Sequence, residues 1–233
     1  MQNSEIIKVR GLVKDYTMGK QFFRALDNVN LSVCGGEFTG LIGPSGSGKT
    51  TLLNIIGALD NPTHGEAVVL DKNVNALSQA EAALLRNESI GFIFQTYNLL
   101  PVYTVFENVE FPLLLLKKSK EEREEAVMKA LQWVGLSGKA KSKPNQLSGG
   151  ESQRVAVARA MVKLPRLVLA DEPTANLDAA NSHNILKMML RLNEELNTTF
   201  IFATHDEKVI GYLKRKVVLS DGKIIDDLSL TKE

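Results

Sequence analysis

Cysteine, histidine, tryptophan and long apolar runs are all scarce in this chain, and each scarcity excludes something. The one cysteine, Cys34, has no partner for an internal disulfide, which agrees with a reducing compartment. The longest unbroken apolar run, Leu113–Leu116 behind Phe111-Pro112, is far below the ~20 residues a membrane span needs. The opening MQNSEIIKVRG lacks the basic-then-apolar pattern of a secretory leader, so none is expected. Any work at a membrane would borrow its spans from another chain. Excess charge is missing too. Lys and Arg number 28 against 27 Asp and Glu, a net charge of +1 with no basic stripe, so the electrostatic footprint of a nucleic-acid binder is absent. Tandem repeats, low-complexity tracts and long Pro/Gly/Ser linkers are also lacking, which points to one cooperative unit.

What is present is an ordinary globular mixture, 44% apolar and 24% charged in 233 residues, enough to build a real core. Short apolar runs alternate with helical stretches. Phe38–Ile42, Ile90–Phe94, Leu167–Ala170 and Phe200–Ala203 read as buried strands, and Lys49 to about Ile56 as a helix. That alternation predicts an α/β fold with a mainly parallel sheet. The flanks differ. Val29, Leu31 and Val33 alternate with polar residues, and Val217–Leu219, the turn Asp221-Gly222 and Ile224-Ile225 read as a hairpin. Both flanks are expected to be antiparallel and to pack beside the parallel core. From Gln95 to about Leu164 helical signals take over. Ser119-x-x-Glu122 is a capping box before a stripe of Val127, Ala130, Leu131 and Val134, with Trp133 beside it as a packing residue.

Gly43-Pro44-Ser45-Gly46-Ser47-Gly48-Lys49-Thr50 matches the phosphate-binding loop pattern in full, between a strand and a helix. Gly46 and Gly48 let the backbone wrap so that successive N–H groups point inward at phosphate. The helix starting near Lys49 adds its positive dipole end. Lys49 would neutralise β- and γ-phosphate oxygens, and the Thr50 hydroxyl would ligate Mg²⁺. Asp171-Glu172 closes a parallel strand at the crevice where such sheets bind ligands. Asp171 is the expected Mg²⁺ carboxylate, direct or through another ligand, and Glu172 the group that orients the attacking water. His205 follows another strand and could donate to the γ-phosphate, with Thr204-x-x-Glu207 read as a capping box. Gln95, ending Ile90–Phe94, could reach the Mg²⁺ or the water and release it. His64 and His183 have no such setting and read as surface residues.

Leu147-Ser148-Gly149-Gly150-Glu151 holds a second such feature. Ser148-x-x-Glu151 is a capping box opening an amphipathic helix with Val155, Ala156, Ala158 and Met161. Gly149 and Gly150 leave first-turn N–H groups uncovered for an anion. One nucleotide needs one phosphate loop, so this helix start suggests service to another molecule's nucleotide.

Leu147–Glu151 followed by Ser152-Gln153-Arg154 resembles the signature motif of the ABC ATPases, and the resemblance covers essentially the whole chain with motifs in family order. It implies a P-loop NTPase fold of ABC type: a mainly parallel core sheet, an N-terminal antiparallel β subdomain, and a helical subdomain over roughly 96–164 inserted in one ATP-binding domain, 1–233. It also implies ATP and Mg²⁺ as ligands and a head-to-tail pair of subunits, each ATP lying between one phosphate loop and the partner's Ser148, Gly149 and Gly150. Tyr16 takes the place of the aromatic that stacks on adenine, Thr51 belongs to the nucleotide-binding set, and Asn176-Leu177-Asp178 is the loop that meets the other subunit. Permease subunits would dock near Gln95–Phe106, where Tyr97, Leu99, Leu100, Tyr103 and Phe106 are apolar for a loop, although burial within the helical segment explains each equally well. That places the protein peripherally at the cytoplasmic face of the inner membrane.

Gly43–Leu59, Gly91–Pro101, Glu107–Val109 and Asp171–Asp178 are most similar to the branch holding lipoprotein-releasing and macrolide- or peptide-exporter ATPases. Glu151 stands where the wider family commonly has Gln, and Ala175 where this branch usually has Gly. Soluble ABC ATPases acting on DNA or ribosomes carry coiled-coil insertions, paired domains or basic surfaces that are lacking here. A GTPase would carry an Asn-Lys-x-Asp motif. A regulatory subunit tethering an envelope complex, as in cell-division relatives of the branch, is the third alternative.

Overall fold

The computed structural model describes residues 4–19 and 21–230; Met1–Asn3, part of the stretch read for a leader, lie outside them. Five runs form the parallel part of a six-stranded sheet: β3 (Phe38–Ile42), β6 (Ile90–Phe94), β7 (Leu167–Asp171), β8 (Thr199–Thr204) and β9 (Arg215–Ser220). The antiparallel β10 (Lys223–Ser229) closes one edge, giving the order β10-β9-β3-β8-β7-β6. The apolar runs are unbroken because both faces are covered. Leu41, Leu169, Ile201 and Ala203 face one core, while Phe38, Val168, Phe200 and Phe202 face the other.

The first core lies under a four-stranded antiparallel sheet of order β2-β1-β4-β5, built from β1 (Glu5–Met18), β2 (Gln21–Cys34), β4 (His64–Val69) and β5 (Lys72–Asn73). Val29, Leu31 and Val33 of β2 point into it, as their alternation predicts. Between the two sheets runs α1 (Lys49–Ile56), with Leu52, Leu53, Ile55 and Ile56 buried. Then α2 (Gln79–Ser89) leads into β6, opened by a Ser78–Glu81 capping box. On the opposite face lie α3 (Val105–Leu114), α4 (Lys120–Trp133), α5 (Gly149–Met161) and α6 (Ala179–Leu196), and the short α7 (Glu207–Ile210) follows β8. The Ser119–Glu122 box caps α4 as expected, and Val127, Ala130, Leu131 and Val134 are buried.

Three expectations change. The C-terminal hairpin forms, but it does not sit beside the parallel core. β9 pairs in parallel with β3, and only β10 runs antiparallel. The helix α5 is not amphipathic in practice, because Gly150, Ser152, Gln153, Val155–Ala158, Ala160 and Met161 are all buried. It is the central rod of the helical layer, packed against α3, α4, α6 and β6. Thr204 is not a helix cap. It ends β8, and Asp206 caps α7 by accepting from the Lys208 N–H. Among the described residues, no helix is long and apolar enough to cross a membrane.

Candidate active site

The parallel strands β3, β7 and β8 end at one edge of the sheet, and the loops leaving them meet there. After β3 the chain turns through Gly43–Gly48 into α1. Gly48 is the N-cap residue at φ +100°, with no side-chain cap. A Cβ there would also come 2.7 Å from the Ala25 carbonyl, so only glycine fits. The uncapped amides of the first turn therefore stay available to an anion, as the sequence predicts. Lys49, only 6% exposed, donates through Nζ to the Gly43 and Pro44 carbonyls, both at 2.7 Å. Burial lowers its pKa, and the nearby Glu172 and Asp171 carboxylates act the other way.

At the end of β7, both Asp171 carboxylate oxygens lie 3.2 Å from Thr50 Oγ1. Burial raises the Asp171 pKa, aided by Glu172 and opposed by the Thr50 hydrogen bond and Lys49. A hydroxyl and a partly buried carboxylate offer a hard cation two oxygen donors. Mg²⁺ takes few protein ligands and completes its shell with water and phosphate oxygens, so this pair fits it. No group of three His, Cys, Asp or Glu able to hold a metal by itself occurs among the described residues.

Glu172 sits in the left-handed region at φ +45°, a strained position for a non-glycine residue that costs about 1–3 kcal/mol. Its own N–H donates to the Ala203 carbonyl on β8 at 2.9 Å, which helps fix this backbone. Glu172 Oε1 lies 2.6 Å from His205 Nδ1, and Oε2 accepts from the Thr204 hydroxyl at 3.0 Å. An ionised carboxylate can only accept, so an ionised Glu172 pairs with the His205 tautomer that carries a proton on Nδ1. Gln95 leaves β6 on an exposed turn, and its carbonyl accepts from Asn176 Nδ2 at 2.9 Å.

Ser45, Gly46, Gly48, Lys49, Thr50, Thr51, Gln95, Asp171, Glu172 and His205 line one cavity of about 400 Å³. All ten belong to the site expected from the sequence. Gly43, Pro44 and Ser47 form the turn that holds Lys49 and do not line the cavity. Tyr16 does not line it either. Its hydroxyl donates to Asp60 at 2.9 Å, Lys14 Nζ lies 4.8 Å over its ring, and Thr51 is beside it. The aromatic at the cavity wall is Phe23, the direct cross-strand partner of Tyr16. Sequence reading missed Phe23; its only signal was an aromatic pair, Phe22-Phe23, outside the apolar alternation of β2.

Ser148, Gly149 and Gly150 stand apart from this cavity. Ser148 Oγ accepts from the Glu151 N–H at 3.2 Å, and Glu151 Oε2 accepts from the Ser148 N–H at 2.9 Å, so the predicted capping box is formed. Lys139 Nζ lies 3.5 Å from Glu151 Oε1 and offsets the charge that Gln would not carry. Asp178 caps α6 through the Asn181 N–H at 2.8 Å, and a Cβ on Gly150 would come 2.6 Å from Asn181 Oδ1, so these two segments pack closely. Of the apolar residues expected near Gln95, Leu99 and Phe106 pack against the helical core, while Tyr103 is 41% exposed. A larger apolar opening, about 460 Å³, lies between β6, α3 and α5, walled by Leu59, Phe92, Phe94, Phe111 and Leu115. His64 is exposed, and His183, also exposed, meets the Tyr212 hydroxyl at 2.8 Å.

A phosphate loop, an acidic strand end and a histidine at the carboxyl edge of a parallel sheet define a P-loop nucleotide hydrolase. A family model described as ABC transporter matches residues 26–175. MJ0796, an uncharacterized ABC transporter ATP-binding protein of Methanocaldococcus jannaschii, is 44% identical over 223 residues, spanning 94% of this chain and 95% of that protein. The lipoprotein-releasing system ATP-binding protein LolD of Legionella pneumophila is 42% identical over 222 residues, spanning 95% and 98%. A dimeric structure of MJ0796 superposes with a TM-score of 0.90 at 42% identity, covering 97% of this chain and all of that one. A second dimeric structure of it, in a post-hydrolysis state bound to ADP and Pi, gives 0.89. The chain belongs to the ABC transporter ATP-binding family and is an ATPase.

Proposed function

We propose that this chain is the ATP-hydrolysing half of a symmetric motor that drives a permease, and that two copies enclose two ATP molecules between them. One observation carries the reading. Lys49, Thr50, Asp171, Glu172 and His205 share a cavity, while the capped start of α5 at Ser148–Gly150 lies outside it. A chain that carries a phosphate loop and, apart from it, a second helix start completes each shared site only beside a second copy. The dimeric MJ0796 structures, one of them with ADP and Pi, support that assembly.

In this reading the loop amides and Lys49 hold the β- and γ-phosphates, with Lys49 Nζ turning from the Gly43 and Pro44 carbonyls to phosphate oxygens. Thr50 and Asp171, with Gln95, would hold Mg²⁺, whose charge offsets that of the phosphates. Glu172 orients a water for in-line attack on the γ-phosphorus. The P–O bond to ADP breaks, and ADP leaves with inorganic phosphate. His205 supports the γ-phosphate, and Asp178 borders the partner. Contacts to the γ-phosphate from both chains favour the closed pair with ATP but not with ADP, so hydrolysis opens it. Tyr16 is assigned to adenine on family resemblance alone.

The permease is assigned to the apolar opening walled by Leu59, Phe92, Phe94, Phe111 and Leu115, where Phe111 and Leu115 are 43% and 62% exposed. That face lies on the helical subdomain of about 96–164 and the adjoining β6, and it gives a peripheral position on the cytoplasmic side of the membrane. For cargo we favour lipoprotein release, supported by the likeness to LolD over nearly the full length of both chains. Macrolide or peptide efflux and an envelope regulatory role are the alternatives.

The test uses Glu172→Gln. Nucleotide binding is expected to persist, turnover to fall by about 100-fold or more, and an ATP-bound dimer to accumulate on size exclusion. Wild-type turnover in that variant would remove Glu172 from the reaction. Co-purification of the membrane partner, with inspection of its periplasmic domain, separates the cargo readings.

A further inference from the structure

Thr204 has a part that its neighbours define and that no sequence motif assigned. It is the last residue of β8, paired with Ile42 of β3 in the parallel ladder and fully buried. Its hydroxyl oxygen accepts from the Asp206 N–H at 3.0 Å. With that side taken, the hydroxyl proton is left for Glu172 Oε2, which it reaches at 3.0 Å. A β-branched side chain in a strand has few rotamers, so the direction of this donor is fixed by the sheet. The other oxygen of Glu172 is held differently. His205, 2.6 Å from Oε1, has a side chain 67% exposed and stands outside regular structure, so its ring can turn away. Asp206, which fixes the Thr204 hydroxyl, is itself tied to the Glu172 loop by the Thr174 hydroxyl at 2.9 Å.

We infer that Thr204 is a positioning residue for hydrolysis: its hydroxyl pins Glu172 Oε2 throughout the cycle, so that Oε1 is the oxygen presented to water once His205 turns to the γ-phosphate. The inference rests on the ATPase reading of Glu172. It explains how a strained carboxylate at φ +45° keeps one direction while its second partner comes and goes. Thr204 is fully buried and acts on the reaction through its hydrogen bond to Glu172.

The experiment compares Thr204→Val and Thr204→Ser in steady-state ATP turnover of the full chain. Val keeps the shape and loses both the donor to Glu172 and the acceptor for the Asp206 N–H. It is expected to lower kcat by about 10–100-fold and to change the KM for ATP less than about twofold, while Ser restores kcat to within about threefold. On a Glu172→Gln background, Thr204→Val should cause no further loss. Melting temperature checks folding, and if Val does not fold, Thr204→Ser against Thr204→Ala makes the same one-hydroxyl comparison. Wild-type kcat without the hydroxyl, an equal loss in Ser, or an undiminished loss on the Glu172→Gln background would each overturn the inference. Unchanged turnover in Glu172→Gln itself would instead overturn the role of Glu172.

Discussion

The helices α1 and α5 both open on glycine-rich turns, yet they are finished in opposite ways. The N-cap of α1 is Gly48, left-handed and without a side-chain cap, and the first helical residue is the buried Lys49. The N-cap of α5 is Ser148, whose hydroxyl and Glu151 close a reciprocal box, with Gly149 exposed to solvent and Gly150 buried against Asn181. A helix start left unfinished in its own chain waits for a ligand to satisfy its amides. One already stable by itself can present its remaining amides to a ligand held elsewhere. The two ends therefore suit the two halves of a shared site.

Substitutions at the two ends should separate these roles. The largest effect is expected for Lys49→Ala, which removes the cation buried behind the loop; turnover should fall by about 10³-fold and nucleotide affinity should weaken with it, both read by titration and steady-state assay. Ser148→Arg should reduce turnover by about 100-fold or more while ATP binding to the single chain stays intact. Lost binding in that variant would place α5 in its own chain's site and break the comparison. Gly48→Ala forces an alanine to φ +100° against the Ala25 carbonyl, and thermal unfolding should register a loss of about 2–3 kcal/mol. Glu151→Gln should matter least. Gln keeps an acceptor for the Ser148 N–H, and the exposed pair with Lys139 contributes under about 1 kcal/mol. Here pH gives a finer reading. The Ser148 backbone hydrogen bond holds the Glu151 carboxyl below its usual range. Its stabilisation is thus present above the ordinary glutamate pKa and is lost as pH falls through the lowered one. Other carboxylates, Glu81 and Glu107 among them, are held low in the same way, so the Gln variant should keep most of the acid-side slope and lose only the share of Glu151. Identical slopes in the two proteins would remove Glu151 from it.

Local elements were legible in the sequence because their signals are local. Lys49–Ile56 is helical over the expected residues, β3 and β6 have the expected limits, and β7 and β8 extend theirs by one or two residues. The polar cluster was legible for the same reason: Gln95, Asp171, Glu172 and His205 lie at or beside strand ends, Lys49 and Thr50 open the helix after the β3 loop, and a parallel sheet gathers such positions at one edge. Pairing was not legible. β4 crosses back to β1 although His64-Gly65-Glu66 carries no strand pattern, and β9 docks on β3 with Val217 and Leu219 buried in the first core. Thr-x-x-Glu at 204–207 matches a capping box, but the Thr204 hydroxyl oxygen accepts from the Asp206 N–H and its proton goes to the Glu172 carboxylate at a neighbouring strand end. Nothing in spacing alone reveals a partner brought in by a neighbouring strand. Phe23 was missed on the same ground, since only the β1–β2 register puts it opposite Tyr16.

The turn between β9 and β10 touches the phosphate loop directly: the Gly222 N–H donates to the Ser47 carbonyl at 3.1 Å, and the Gly222 carbonyl accepts from the Asp27 N–H at 2.9 Å. The phosphate loop is thus buttressed by a hairpin synthesised long after it. On the ribosome, the cradle around Lys49 lacks this rear support until the β9–β10 hairpin has emerged. Nucleotide is then a poor guide for the early folding of this protein and a good reporter of its completion.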